Sequence, residues 1–441
     1  MGVLQAGIGR ICVTPPVGLI MTEFDERNQL SKGVHDDLYA RALVLDDGVT
    51  KLSIVTVDLQ DLDKELVAKT RQIVERRTGI KKDNVTIAAI HTHSGPELTK
   101  DITLLGIPLE RPIEGLAKRE YIDSLRDSMA RSIAGAVYVA NSNLRRAKIG
   151  VGKGQVHTIG LNRRDSKEPM DPEVGVIRVD SHEGEPVVVL MNYACHPTVL
   201  GSDNLLYTAD YPGYAVRSVE AALGKGVQAM FTNGACGNVS TRFTRREQTF
   251  KEAERMGSIL GGEVVKVASE IKAFDQVRLS IVSEAIELPT KSYPTVEEAR
   301  KTVELEKERF ENLKKKGASP AELRVAYTSM QGAEMALRGA EAGLGKLKKI
   351  GTEMQAIGIN DSILVAEPGE LFAETGLKIK KDSGLENVFV VGYANDYIGY
   401  VPTKEAYKEG LYETFTTLLS QDSCEIIQNT ALKMIRLVTN K

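Results

Sequence analysis

Asn84-Val-Thr-Ile-Ala-Ala-Ile-His91-Thr-His93-Ser-Gly-Pro96 is an apolar run of strand character that stops at two histidines and a Gly-Pro turn. The 441 residues contain six histidines, and two of them stand here one residue apart. Alternate residues of a strand point the same way, so the pair leaves the sheet on one side. Ligands and chemistry collect at the carboxyl ends of strands in α/β proteins. The stretch therefore predicts a strand whose end binds a metal or moves a proton. A His-x-His pair is equally the hydrogen-bonded end of an ordinary strand, so the rest of the chain has to decide.

Working outward, residues 52–57, 187–191, 227–232, 363–366 and 388–391 have the same apolar, β-branched texture as 85–90. Helical patterns at 64–77 and 121–137 lie between such runs. That alternation predicts an α/β fold, a mostly buried mixed sheet flanked by helices. Almost every run ends in polar or glycine-containing residues: Asp58, His91 with His93, Asn192 to His196, Asn233 to Asn238, Glu367 to Glu370, and Asn395 to Tyr400. Strand ends gathered on one rim would build a single polar site from distant sequence.

Residues 295–350 break this texture. Thr295 with Glu298, and Ser319 with Glu322, are two capping boxes, the second with Pro320 at the first helical position. Leu323, Ala326, Met330, Ala333, Leu337, Ala340 and Leu344 recur at 3-4 spacing, and Val296, Ala299, Val303, Phe310 and Leu313 form a rougher partner stripe. This predicts an inserted antiparallel helical hairpin, with 1–294 and 351–441 forming one α/β domain around it. A solvated arm, a lid over the site and a homo-oligomerisation arm are the three roles open to it.

Composition excludes some classes. With 57 basic and 60 acidic residues the net charge is −3, which argues against a nucleic-acid partner or an electrostatic membrane anchor. No basic, apolar leader opens the chain and no run approaches 18 apolar residues, so a cytoplasmic protein is expected. Cys12, Cys195, Cys236 and Cys424 are far apart and form no Cys-x-x-Cys pair, so neither a disulfide framework nor a thiolate zinc site is expected.

The strand ends taken together resemble the neutral/alkaline ceramidase family of zinc-dependent N-acyl hydrolases. The matching segments are Gly7 to Arg10 with Thr14-Pro-Pro16, His91 to Pro96, Asn162-Arg163, His196-Pro-Thr198 with Tyr211-Pro-Gly-Tyr214, Gly237 to Ser240, Pro368-Gly-Glu370, and Asn395 to Tyr400 followed by Tyr412. They occur in family order. The resemblance implies a Zn2+ ion held by His91, His196, Glu370 and Tyr400, with His93, Arg163, Ser240 and Tyr412 lining the reacting bond. Two imidazoles and a carboxylate are a catalytic zinc set, and a phenol adds an oxygen donor. Metal-activated water would attack the amide carbonyl, His93 and Tyr412 would hold the oxyanion or pass a proton, and Arg163 would anchor substrate. Ser240 is either an attacking hydroxyl or a positioning group, and Asp58 either orients an imidazole or caps a strand.

Other features pull away from ceramide itself. Only 29 residues follow Tyr412, too few for the immunoglobulin-like domain that better-known members carry, so a short member is expected. Arg242 adds charge beside the expected pocket, and aromatic content is 5% with no tryptophan. The expected substrate is a small-molecule or lipid N-acyl amide. The alternatives are a small linear or cyclic amide metabolite, or a metal-binding structural protein without activity.

Overall fold

The computed structural model describes residues 2–22, 24, 26–98 and 119–440. Eight strands form a large mixed sheet: β1 (Gln5–Cys12), β2 (Tyr39–Asp46), β3 (Lys51–Val57), β4 (Val85–Ala89), β5 (Arg145–Gln155), β6 (Glu173–Ser181), β7 (Pro186–Tyr193) and β8 (Gln228–Asn233). Their order across the sheet is β8-β7-β6-β5-β1-β2-β3-β4. A second sheet holds β9 (Leu279–Pro289), β10 (Lys349–Ile359), β11 (Ser362–Ala366) and β12 (Asn387–Val391), in that order.

Strand parity stacks these sheets. Along β2, Ala40, Ala42 and Val44 enter a core shared with helices α1 (Lys64–Thr78), α2 (Arg119–Ser142), α3 (Asp210–Leu223) and α4 (Phe250–Glu270). Leu43 and Leu45 point the other way, into a core shared with Leu364 and Ala366 of β11. The opposite face of β11, Ile363 and Val365, packs on the helices Ala373–Ser383 and Ser423–Thr439. The result is four layers, helix, sheet, sheet, helix, each sheet buried on both faces. Runs that are apolar at every position follow from that double burial.

Three neighbouring pairs are parallel: β3 with β4, β7 with β8, and β11 with β12. Each pair is joined through a helix, α1, α3 and Ala373–Ser383 respectively, as a parallel pair requires. The strand ends singled out in the sequence belong to these three units. Although β4 and β8 are opposite edges of the large sheet, residues 392–395 bring their carboxyl ends together. Gly392 N–H donates to the Asn233 carbonyl (3.0 Å), Ala89 N–H to that of Tyr393 (3.1 Å), and Asn395 N–H to that of Ile87 (2.8 Å). Tyr393 and Asn395 hold φ of 56° and 67° to make this crossing, a strained backbone for non-glycine residues.

Some strands carried no apolar signal. β5 reads Arg-Arg-Ala-Lys-Ile-Gly-Val-Gly-Lys-Gly-Gln, with glycine at every second position. A Cβ on Gly150 would stand 2.4 Å from the Lys272 carbonyl oxygen, and one on Gly152 2.9 Å from Val267. The bare face is what lets α4 and the chain after it lie directly on the strand.

The helical hairpin interrupts the β9–β10 pair, which is in register up to Pro289 opposite Lys349. Its helices are α5 (Val296–Lys315) and α6 (Pro320–Glu341), and both capping boxes form. Lys307–Glu334 (3.0 Å) and Arg300–Glu341 (3.6 Å) pairs run across an antiparallel seam. Burial on α6 is centred on small residues, Ala326, Ser329, Gly332, Ala333 and Ala336, while Leu323, Met330 and Leu337 are half-buried. The reason is that α6 is flanked on two sides: α5 covers one, and the short helix Tyr412–Thr416 covers the other.

Candidate metal centre and its pocket

His91 follows β4 with φ at 68°, and the turn aims its ring across the rim. Its Nδ1 lies 3.0 Å from the Gln60 carbonyl, after β3, and its ring stacks on Tyr393 at 3.9 Å. A carbonyl can only accept, so Nδ1 carries the hydrogen and Nε2 presents a lone pair. His196, after β7, is arranged alike: its Nδ1 meets the carbonyls of Cys236 (2.7 Å) and Val239 (3.1 Å). Glu370, after β11, accepts the Tyr397 hydroxyl on Oε1 at 2.6 Å, which leaves Oε2 facing the rings.

These atoms converge. His196 Nε2 is 2.9 Å and His91 Nε2 3.5 Å from Glu370 Oε2, and His93 Nε2 is 3.2 Å from His91 Nε2. His196 Nε2 and Glu370 Oε2 are buried and lack a hydrogen-bond partner. Tetrahedral bonds of about 2.0–2.2 Å imply donor separations of about 3.3–3.6 Å, and the observed 2.9–3.5 Å reaches into that range from below. A divalent cation is what such a set accommodates. His91, His93 and His196 are also the one group of metal-competent side chains found among the described residues.

Protonation agrees with that reading. Burial, reinforced by neighbouring positive charge, lowers His196 to about 4 and takes His93 well below its ordinary value. Burial works against the Glu370 carboxylate, but the two adjacent imidazoles outweigh it and hold the group well below the usual range. A neutral His93 and His196 beside an ionised Glu370 are in the states a metal requires.

A cavity of about 340 Å³ opens on this cluster, and His93, Arg163, Ser240, Tyr400 and Tyr412 all line it. Arg163 follows the two-residue strand Leu161–Asn162, which pairs with Val239–Ser240. Burial opposes its charge, yet the Tyr400 phenol and the Glu413 carboxylate, 2.8 Å from Nε, keep it firmly protonated. Its Nη2 is buried without a hydrogen-bond partner. Tyr400 is the strand neighbour of Glu370, and its ring lies 5.4 Å from the Arg163 guanidinium and 5.8 Å from Tyr412. Ser240 bridges to His196 through the backbone. Its hydroxyl accepts the Arg242 N–H (3.3 Å), and no hydrogen bond joins it to an imidazole among the described residues. Asp58 does not reach an imidazole. It pairs with Arg41 (2.8 Å) and caps Tyr39 N–H, so it is structural.

The structure thus brings all eight expected residues to one site, and His93 sits within donor distance of the ligands rather than merely beside them. Sequence reasoning missed the groups behind them: the Gln60, Cys236 and Val239 carbonyls, Tyr397 and Glu413. Tyr397 lay inside a quoted motif and Glu413 next to Tyr412, but backbone acceptors leave no residue-type signal. The hairpin also contributes, since Arg324, Thr328 and Gln331 of α6 form one wall of the cavity.

Residues 4–250 match the family described as neutral/alkaline non-lysosomal ceramidase, N-terminal. The neutral ceramidase of Drosophila pseudoobscura pseudoobscura is 24% identical over 239 residues, covering 49% of this chain and 32% of that protein. That of Pseudomonas aeruginosa is 24% identical over 477 residues, covering 93% and 68%. The crystal structure of the Pseudomonas aeruginosa neutral ceramidase superposes with a TM-score of 0.77 at 20% identity, covering 100% of this chain and 75% of that one, so the fold is shared. The match spans only about a third of the length of the fruit-fly and rice relatives.

Proposed function

The chain belongs to the neutral/alkaline non-lysosomal ceramidase family, and from that premise we propose that it is a zinc-dependent hydrolase of N-acyl amides, the linkage present in ceramide. The observation that carries the proposal is the convergence of His91 Nε2, His196 Nε2 and Glu370 Oε2 at the ends of parallel strands, each held from behind by a separate hydrogen bond.

These three residues, with Tyr400 beside Glu370, would hold the ion, and His93 stands on the pocket side of the set. Zinc bound there supplies a Lewis acid that polarises an amide carbonyl and brings the pKa of water toward neutrality. The remaining steps fall to the chain's own groups. His93, neutral and with an unpartnered Nδ1, takes and returns the proton that moves from water to the leaving amine. The free Nη2 of Arg163 donates to the carbonyl oxygen as charge develops on it, and the Tyr412 hydroxyl faces the same cavity. Ser240 positions substrate through its hydroxyl. A purely structural metal site needs none of these groups lining an open cavity, which supports the catalytic reading.

The test is mass spectrometry of products after zinc-loaded protein meets a panel of ceramides, N-acyl amino acids and small linear and cyclic amides, with His196→Ala as blank. The expected result is release of amine and fatty acid that the variant and a chelator both abolish. Zinc-loaded protein that cleaves no member of the panel contradicts the proposal.

A further inference from the structure

The cavity beside the metal centre is lined by four arginines and two carboxylates, and the arginines are not equivalent. Arg163 is matched by Glu413 (2.8 Å) and Arg324 by Glu26 (2.7 Å). Among the described residues, neither Arg242 nor Arg245 has a carboxylate within ion-pair distance, and Asp203, the remaining acid of the lining, reaches neither. Both are instead anchored on backbone carbonyls, Arg242 Nη1 on that of Arg163 (3.2 Å) and Arg245 Nη1 on that of Thr198 (2.7 Å). A guanidinium has five N–H donors, so each keeps several for a ligand while its plane is fixed. Burying such charge without a counter-ion costs stability. Burial and the neighbouring Arg163 depress Arg242 to about 9, and burial with Arg324 lowers Arg245 as well.

A neutral lipid amide leaves both charges unanswered. The Arg242 N–H also donates to Ser240 Oγ at 3.3 Å, which ties the segment bearing the two arginines to the reacting site. Building on the proposed amide hydrolysis, we infer that the substrate is an N-acyl amide carrying an anionic group, a carboxylate or a phosphate, that seats against Arg242 and Arg245. Charge-assisted, bidentate hydrogen bonds are what guanidinium groups offer to either anion. The cavity volume stands at the small end of ligand pockets, which run from about 300 to 1,000 Å³, in keeping with a compact polar substrate.

The experiment compares kcat/KM for amides of one acyl chain length on zinc-loaded protein: an N-acylglycine for carboxylate, a ceramide 1-phosphate for phosphate, and the N-acylethanolamine and ceramide as neutral partners. The anionic member of at least one pair should exceed its neutral partner by about tenfold or more, the scale of one charged hydrogen bond, and the pair that does so identifies the anion. In Arg242→Gln, Arg245→Gln and the double variant this preference should fall toward one. Binding is read separately, as the rise in melting temperature on adding the N-acylglycine or the ceramide 1-phosphate. The rise should be seen in wild type, be smaller in each single variant and vanish in the double. Melts without ligand verify folding, and the two single variants keep the test open if the double does not fold. Should no amide be cleaved, the hydrolase reading fails and the binding arm still decides this inference. Equal turnover of neutral and anionic amides, or a preference and thermal shift untouched by the variants, overturns it.

Discussion

At the candidate metal centre, His91, His196 and Glu370 come together as two imidazoles and a carboxylate, every one of them fixed from behind by a carbonyl or a tyrosine hydroxyl. A short way across the same cavity, Arg242 and Arg245 hydrogen-bond to backbone carbonyls, and among the described residues no carboxylate lies within ion-pair distance of either. The first region is built on the ends of three parallel strand pairs. The second is built on a turn after the two-residue strand Val239–Ser240 and, among the described residues, forms no ion pair. Under the proposed function the first region serves the reaction and the second the choice of substrate, and different segments of chain carry them.

The largest effect is expected from breaking the first region. His196→Ala should lower amide hydrolysis below about 1% of wild type, more than the roughly 10–100-fold typical of changes behind a ligand. Metal content measured on the same sample should fall with it. Next comes the buried Glu413, which binds Arg163 and Arg164 at 2.8 Å each and so joins the two regions. Glu413→Gln should destabilise by about 3 kcal/mol or more, since it takes the carboxylate from the buried Arg163 guanidinium and leaves Arg164 with only the exposed Glu409. Burial opposes ionisation of Glu413, but Arg163 and Arg164 hold its pKa below the ordinary 4.5. Its contribution is therefore complete above about 4.5 and lost as pH falls through the lower folded value. Urea titrations across acid pH should show the gap between wild type and variant closing in that window.

A smaller change sharpens the comparison. Tyr397→Phe removes the 2.6 Å bond to Glu370 and should weaken metal affinity by about 10–100-fold, read by competition with a chromophoric chelator, while leaving any preference for anionic substrates in place. Ser240→Ala should have the smallest effect, under about tenfold in kcat/KM, as expected for one neutral hydrogen bond. A loss of many orders of magnitude there would make Ser240 a nucleophile and undo the mechanism.

How much of this could be read beforehand follows the same division. The strand ends were legible because strands buried on both faces stand out as apolar runs, and because His91, His93, His196 and Glu370 interrupt them abruptly. The hairpin was legible because capping boxes are local. β5 was not, since its alternate glycines answer to a helix contributed by residues far along the chain. Nor was the role of α6: the repeat in its sequence announces a partner helix, but its small residues also accept a second neighbour. A Cβ on Gly332 would stand 3.1 Å from Tyr412 Cα, a contact that only the folded chain creates. The arginines were hardest, because the charge on Arg242 was visible in the sequence whereas the absence of an ion-pairing carboxylate among the described residues was not.

The most direct test is diffraction from zinc-soaked crystals at energies on either side of the zinc absorption edge. The account predicts an anomalous peak, present only above the edge, about 2.0–2.2 Å from His91 Nε2, His196 Nε2 and Glu370 Oε2. A zinc peak elsewhere with this cluster empty, or rings turned so that their Nε2 atoms no longer converge, would contradict it.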